Sequence, residues 1–143
     1  MWKFSNFQPT PVFLDGVEWP TPEHAYQAMK TESALERARI FSAVTPGVAK
    51  RLGRRLTLRP NWNEQRQYFM TLVLLAKFRE QPYRSQLLST GDEILIEWNT
   101  WHDNYWGRCV CDRDGCRSTG ENNLGLILMN IRNELRREFP DEH

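Results

Sequence analysis

Long apolar runs are absent from this chain, and its start lacks the charged, apolar and small-residue succession of a signal peptide. Both absences point to a soluble protein of the cytoplasm with no membrane partner. A charge excess is missing too. The 19 basic and 18 acidic residues leave a formal net charge of +1, so any contact with nucleic acid must come from a local patch. Cysteine is scarce: three residues, closely spaced, make a poor disulfide framework for a secreted protein. No glycine-rich phosphate loop, no βαβ alternation and no His-Glu-x-x-His pair occurs. These absences argue against a Rossmann enzyme, a P-loop enzyme and a common zinc protease. Repeats and low-complexity segments are also lacking.

What is present is enough for one ordinary domain. The 143 residues can bury a substantial core without staples, and a single domain over residues 1–143 is expected. Six tryptophans are a surplus. Trp62, Trp101 and Trp106 lie in polar surroundings, where a flat ring with one N–H donor suits stacking on a ligand better than filling a core.

The segment from Thr21 to Lys30 carries the most chemistry. Thr21 is placed to cap the free N–H groups of a first helical turn, and Pro22 occupies the first helical position, where its missing N–H costs nothing. At about 100° per residue, Glu23, Gln27 and Lys30 project within roughly 60° of one another, flanked by Tyr26. Ala25, Ala28 and Met29 face the other way, as a core side would. The polar stripe is then either a solvated face or the wall of a cleft; by spacing alone, the solvated face is the commoner arrangement.

Elsewhere the pattern is mainly α, with a few short strands. Val12-Phe13-Leu14 and Val17-Glu18-Trp19 flank Asp15-Gly16, a hairpin signal. Helical segments are expected over Ala34 to Ala43, after Thr45-Pro46, and from the Asn61-Trp62-Asn63-Glu64 capping signal to Glu80. In that last and longest helix Phe69, Leu72, Val73, Leu75 and Ala76 are the expected buried residues. A short helix from Pro82 to Ser89, a buried strand at Ile94-Leu95-Ile96, and a final helix from Asn123 to Phe139 follow. The final helix would bury Leu124, Ile127, Leu128, Ile131 and Leu135. Between Asn99 and Gly120 periodicity fails, and long irregular loops in compact domains are usually functional or mobile.

Taken together, Ser5-Asn6-Phe7, Trp19-Pro20-Thr21-x-Glu23-His24-x-x-Gln27-x-x-Lys30, Leu58-Arg59-x-x-Trp62, Ala76-Lys77-Phe78, Leu87-Leu88-x-Thr90, Asp103-x-x-Trp106-Gly107 and Gly120-x-Asn122-x-Leu124-Gly125 resemble the YbiA-like, or NADAR, family. The resemblance runs from Lys3 to Arg136. It implies a compact, mainly α-helical YbiA-like fold and hydrolysis of N-glycosidic bonds. The substrates it implies are ribosylamine 5′-phosphate intermediates of riboflavin synthesis, or guanine in DNA carrying ADP-ribose. Removal of ADP-ribose from guanine is the expected activity, with the riboflavin intermediates second and a non-catalytic ADP-ribose-binding module as a further alternative. The partner is therefore ADP-ribosylated nucleic acid or a ribosylated small molecule, with no cofactor and no obligate protein partner.

Both substrates carry an anomeric carbon on what was an exocyclic amine, a linkage that can open to an imine. On the implied site, Lys30 is the candidate nucleophile, which requires a neutral amine and hence a depressed pKa. Glu23 would move protons onto the leaving nitrogen or activate water. Asp103 is the second carboxylate, and without a lysine nucleophile Glu23 and Asp103 would work as acid and base around an oxocarbenium-like transition state. Ser5, Asn6, Phe7, Tyr26, Gln27, Arg59, Trp62, Trp106, Gly107 and Asn122 are the candidate substrate-binding residues. Asn122 also stands where a helix N-cap would, and Arg54, Arg55 and Arg59 form either a phosphate clamp or a solvated basic cluster. Many family members carry a segment with a Phe-Tyr pair ahead of Ser-Asn-Phe. This chain begins almost at that motif, so part of the pocket wall is expected to be missing or rebuilt.

Cys109-x-Cys111-x4-Cys116 lies between two of these motifs. A zinc site there would need His102 or His24 as a fourth ligand, and the spacing is not that of a standard zinc ribbon. Free reduced thiols and no metal are the expectation.

Overall fold

The computed structural model describes residues 4–116 and 119–142. Among these the protein is mainly α-helical, with six helices and four strands of two or three residues. None of the helices among the described residues is long and apolar enough to cross a membrane. The chain folds as two compact units, Lys3–Lys77 and Phe78–His143.

The first unit opens with the hairpin. Strands β1 (Val12–Leu14) and β2 (Val17–Trp19) pair antiparallel, with Val12 opposite Trp19. Asp15 and Gly16 both take positive φ, at 54° and 78°, as a type I′ turn requires. Helix α1 (Pro22–Met29) follows at once. Thr21 Oγ1 accepts the His24 amide at 3.2 Å, and Pro22 sits at the first position. Every residue of α1 is buried, so the solvated-face reading of its polar stripe does not hold. Helix α2 (Ala34–Phe41) is capped by Ser33, and α3 (Pro46–Gly53) by Thr45. Both pack on α1.

At Gly53 the approach of α3 to α1 has a visible cause. A Cβ there would lie 1.9 Å from Gln27 Oε1, so only glycine leaves room for the amide. Helix α4 (Trp62–Phe78) is the longest. Its buried residues are Trp62, Met70, Val73, Leu74, Lys77 and Phe78. The expected set is corrected here: of Phe69, Leu72, Val73, Leu75 and Ala76, only Val73 is fully buried. The inward face is rotated toward Lys77, a lysine that hydrophobic patterning assigns to solvent.

In the second unit, α5 (Tyr83–Leu88) packs on α6 (Asn123–Glu138). The expected core stripe of α6 is buried throughout: Leu124, Ile127, Leu128, Ile131 and Leu135. Arg132 joins it, donating from Nη1 to Thr90 Oγ1 at 2.8 Å and to the Glu93 carbonyl at 2.9 Å. The expected strand at Ile94–Ile96 is not formed. Instead, β3 (Trp98–Asn99) pairs in parallel with β4 (Arg108–Cys109). Ile94 is 76 % exposed, and the backbone after it finds a side chain rather than a strand as its partner. Asn122 Nδ2 donates to the Leu95 carbonyl at 2.9 Å, and Asn122 Oδ1 accepts the Glu97 amide at 3.0 Å.

Candidate active site

Helix α1 presents the centre of the site. Glu23 and Gln27 lie one turn apart, and Gln27 Nε2 donates to Glu23 Oε1 at 2.7 Å. Both are buried, at 7 % and 3 % exposure, which is rare for a carboxylate without a cation in direct contact. Burial raises the Glu23 pKa above the usual carboxylate value, against the Gln27 hydrogen bond and the charges of Lys50, Lys30 and His24, which lower it. Gln27 Oε1 is buried and has no hydrogen-bond partner of its own, an acceptor held in readiness beside Gly53.

Lys30 is the C-cap residue of α1 and is half-buried. Its Nζ lies 5.5 Å from the centroid of the Tyr26 ring. Its pKa is lowered, first by burial; Glu23 opposes this, while Lys50, Arg54 and Arg66 push it down further. The two shifts run in opposite senses. A carboxyl that resists ionisation and an amine that resists protonation therefore stand on one helical stripe.

The Ser-Asn-Phe segment docks on the start of α1. The Asn6 carbonyl accepts the Glu23 amide at 3.1 Å, so Asn6 positions the residue through its backbone. The Asn6 side chain donates from Nδ2 to Met70 Sδ at 3.4 Å, while its Oδ1 is buried without a hydrogen-bond partner. Ser5 Oγ accepts the Phe7 amide at 3.1 Å, a local turn, and Lys50 Nζ lies 5.8 Å from the centre of the Phe7 ring.

Two expected contacts have visible structural tasks. Arg59 donates from Nε to the Met29 carbonyl at 2.6 Å and its backbone amide reaches the Lys30 carbonyl at 2.7 Å, closing the end of α1. Its guanidinium also lies 4.4 Å from the centre of the Phe69 ring. Trp62 is buried in an aromatic cluster, 5.6 Å from Tyr26 and 5.7 Å from Phe69 by ring centroids. Arg54 and Arg55 remain exposed. An open depression of about 460 Å³, lined in part by Asp15, Met29, Arg37 and Arg59, shares only Arg59 with the expected residues. Glu23, Gln27 and Lys30 are not among the residues that line that hollow.

The other expected residues belong to the second unit. Asp103 Oδ1 accepts the backbone amides of Tyr105 at 3.1 Å and Trp106 at 2.9 Å, folding the loop around itself. Trp106 is half-buried and meets Tyr105 edge-on, at 4.7 Å and 84°. Gly107 is a backbone crossing point, since a Cβ there would lie 2.1 Å from the Glu97 carbonyl oxygen. Asn122 stands at the N-cap position of α6, yet its side chain makes no capping bond. Its φ is 56°, and its amide brackets Leu95 and Glu97 instead, which occupies the polar atoms assigned to a ribose or phosphate.

Sequence reasoning gave no role to Lys50 or Arg66, and named Lys77 only within the Ala76-Lys77-Phe78 motif. Lys77 is 1 % exposed, donates to Gln8 Oε1 at 2.9 Å and to the Ser5 carbonyl at 3.3 Å, and burial lowers its pKa to about 8. A lysine inside the apolar stripe Val73-Leu74-Lys77-Phe78 was the available signal. Lys50 and Arg66 left none, because their charges matter only through where α3 and α4 carry them.

A mainly helical fold with a buried acid–amide pair and a partly desolvated lysine on its opening helix defines the class. A family model, the NADAR domain, matches residues 2–136, and the chain belongs to that family. It is 39 % identical over 135 residues to Escherichia coli N-glycosidase YbiA, covering 92 % of this chain and 80 % of that protein. The solution structure of Escherichia coli YbiA superposes with a TM-score of 0.81 at 37 % identity, over 98 % of this chain and 81 % of the other. An N-glycosidase of Nostoc punctiforme is also 39 % identical, over 93 % of this chain and 85 % of its own. A riboflavin biosynthesis protein of Vibrio vulnificus is 34 % identical over 95 % of this chain, which spans 36 % of that longer protein.

Proposed function

We propose that this protein is an N-glycosidase that hydrolyses a ribosyl bond to an exocyclic base nitrogen. The observation that carries the reading is the pair of opposed shifts on α1, Glu23 raised and Lys30 lowered, with Gln27 orienting the carboxyl. The names of the Escherichia coli and Nostoc relatives support the same class of reaction.

In this scheme the aminoglycoside opens to an imine, and the neutral Lys30 amine adds to the anomeric carbon. Glu23 in its acid form gives a proton to the base nitrogen as the carbon–nitrogen bond breaks, leaving the sugar as an imine on Lys30. The Glu23 carboxylate then takes a proton from water as water adds to that imine. Collapse of the adduct releases the sugar and returns the amine. The positive field of Lys50, Arg54 and Arg66 around Lys30 suits a substrate bearing phosphate.

Two substrates meet these demands. Guanine carrying ADP-ribose is the expectation from sequence. The Vibrio relative is named only as a riboflavin biosynthesis protein, which favours the second expectation, a ribosylamino-pyrimidine phosphate of riboflavin synthesis, as the substrate we propose. Incubation with each compound, followed by mass spectrometry of the released base, separates them. Release from neither sinks the assignment. Borohydride added during turnover should leave a reduced sugar adduct on Lys30; turnover without an adduct would rule out the lysine step and leave Glu23 to act by acid–base catalysis alone.

A further inference from the structure

The irregular loop between β3 and α6 gathers a set of side chains that the glycosidase chemistry does not use. His102 Nδ1 lies 3.7 Å from Cys109 Sγ, 3.3 Å from Cys111 Sγ and 3.4 Å from Cys116 Sγ. All four ligand atoms fall within 4.8 Å of one another. None of the cysteines is in a disulfide.

Hydrogen bonding does not account for this convergence. An imidazole Nδ1 has either one proton or one lone pair, so it cannot satisfy three thiols at once. A metal can. With Zn–S near 2.3 Å and Zn–N near 2.0–2.1 Å, a tetrahedral site has N···S edges of about 3.5 Å. The three observed distances, from 3.3 to 3.7 Å, bracket that edge.

The surroundings fit the same reading. The Arg113 amide points at Cys111 Sγ at 3.4 Å and Asn104 Nδ2 at Cys116 Sγ at 3.5 Å, both donors toward atoms that would be thiolates. Asn104 Oδ1 accepts the Cys109 amide at 2.9 Å and so holds the loop on both sides of the cluster. His102 takes φ 70°, a left-handed conformation uncommon for a residue other than glycine, and one that needs a compensating contact. His24, the other histidine weighed from sequence, is occupied elsewhere, with ring nitrogens 2.8 Å from Thr21 Oγ1 and 2.9 Å from the Ala43 carbonyl.

We propose that His102 Nδ1 and the sulfurs of Cys109, Cys111 and Cys116 bind one zinc ion in a closed, structural site. Three sulfurs and one nitrogen in tetrahedral reach suit zinc, and four protein ligands leave no position for water or substrate. On binding, the three thiols release their protons to solvent and the imidazole binds through its lone pair. The ion replaces the core that this loop lacks, bracing the segment that carries Asp103 and Trp106. The inference is independent of the glycosidase reading.

Protein purified without chelator should contain about one zinc per chain by inductively coupled plasma mass spectrometry. X-ray absorption at the zinc edge should give three sulfurs near 2.3 Å and one nitrogen near 2.0 Å. Replacing zinc with cobalt should yield the strong visible bands of a tetrahedral thiolate complex. Cys111→Ser and His102→Ala should each lose most of the bound metal in competition with a colorimetric chelator. Four outcomes overturn the site: no stoichiometric uptake by the fully reduced protein, a different resident metal, a native disulfide among the three cysteines, or zinc retention unchanged in Cys116→Ser. The absorption and cobalt measurements use the unaltered protein, so they stand even if a variant fails to fold.

Discussion

Helix α1 and the loop between β3 and α6 organise polar side chains in opposite ways. In α1 the backbone satisfies itself, and regular geometry aims Glu23, Gln27 and Lys30 in a common direction. In the loop the side chains do the backbone's work. Asn122 stands in for a strand beside Leu95 and Glu97, Asn99 bonds both the amide and the carbonyl of Asp103, and Asp103 holds two following amides. On α1 the Glu23 and Gln27 side chains bond each other, while His24 is tied to Thr21 and the Ala43 carbonyl. A polar residue in the loop is first of all a structural element.

The sharpest break in that contrast is at the acid and the amine. Glu23→Gln and Lys30→Ala should each lower turnover by about a hundredfold to ten-thousandfold while leaving melting temperature little changed, measured by base release and calorimetry. Loss of folding in parallel with activity would return the stripe to a structural role.

Lys77 tests the first unit from inside its core. Its native pKa of about 8 lies below the ordinary 10.5, so between those values the unfolded chain holds more protons and stability rises with pH. The gain approaches about 3 kcal/mol by pH 10.5, at 1.36 kcal/mol for each pKa unit. Urea titrations across that range should show the rise in the native protein and a flatter profile in Lys77→Met.

In the loop, Asn122→Ala leaves the buried Leu95 carbonyl and Glu97 amide without their partner and should cost about 2 kcal/mol. Denaturant midpoints measure it, and a change under about half that value would mean water replaces the side chain. The smallest effect is at the cap. Thr21→Ala removes the bonds to the His24 amide and to its ring nitrogen and should cost about 1–2 kcal/mol. Thr21→Ser, which keeps the oxygen, should recover most of the lost thermal stability.

The same contrast explains what was legible in the sequence. The hairpin at Asp15-Gly16, the capped starts of α1 and α3, and the buried stripe of α6 depend on short-range rules, and each stands where those rules put it. Ile94-Leu95-Ile96 reads as a strand for the same local reason. It fails because its partner is Asn122, more than twenty residues away, and no local pattern reveals a side chain substituting for a strand. The inward face of α4 is misread through Lys77. Patterning sends lysine to solvent, while Ser5 and Gln8 bring it a carbonyl and an amide oxygen inside the fold.

By itself, then, the sequence determined that α1 would form and which of its residues share a face, because helix capping and periodicity act within a few residues. It also carried the family's motifs in order along nearly the whole chain. Burial was decided only in three dimensions. Whether Glu23 and Lys30 are solvated or desolvated depends on α2 and α3 closing over α1, on Gly53 letting Gln27 in, and on Lys50, Arg54 and Arg66 adding their field. Four ligands scattered from residue 102 to 116 became one cluster for the same reason. Desolvation and coordination depend on distances through space, which the order of residues along the chain does not state.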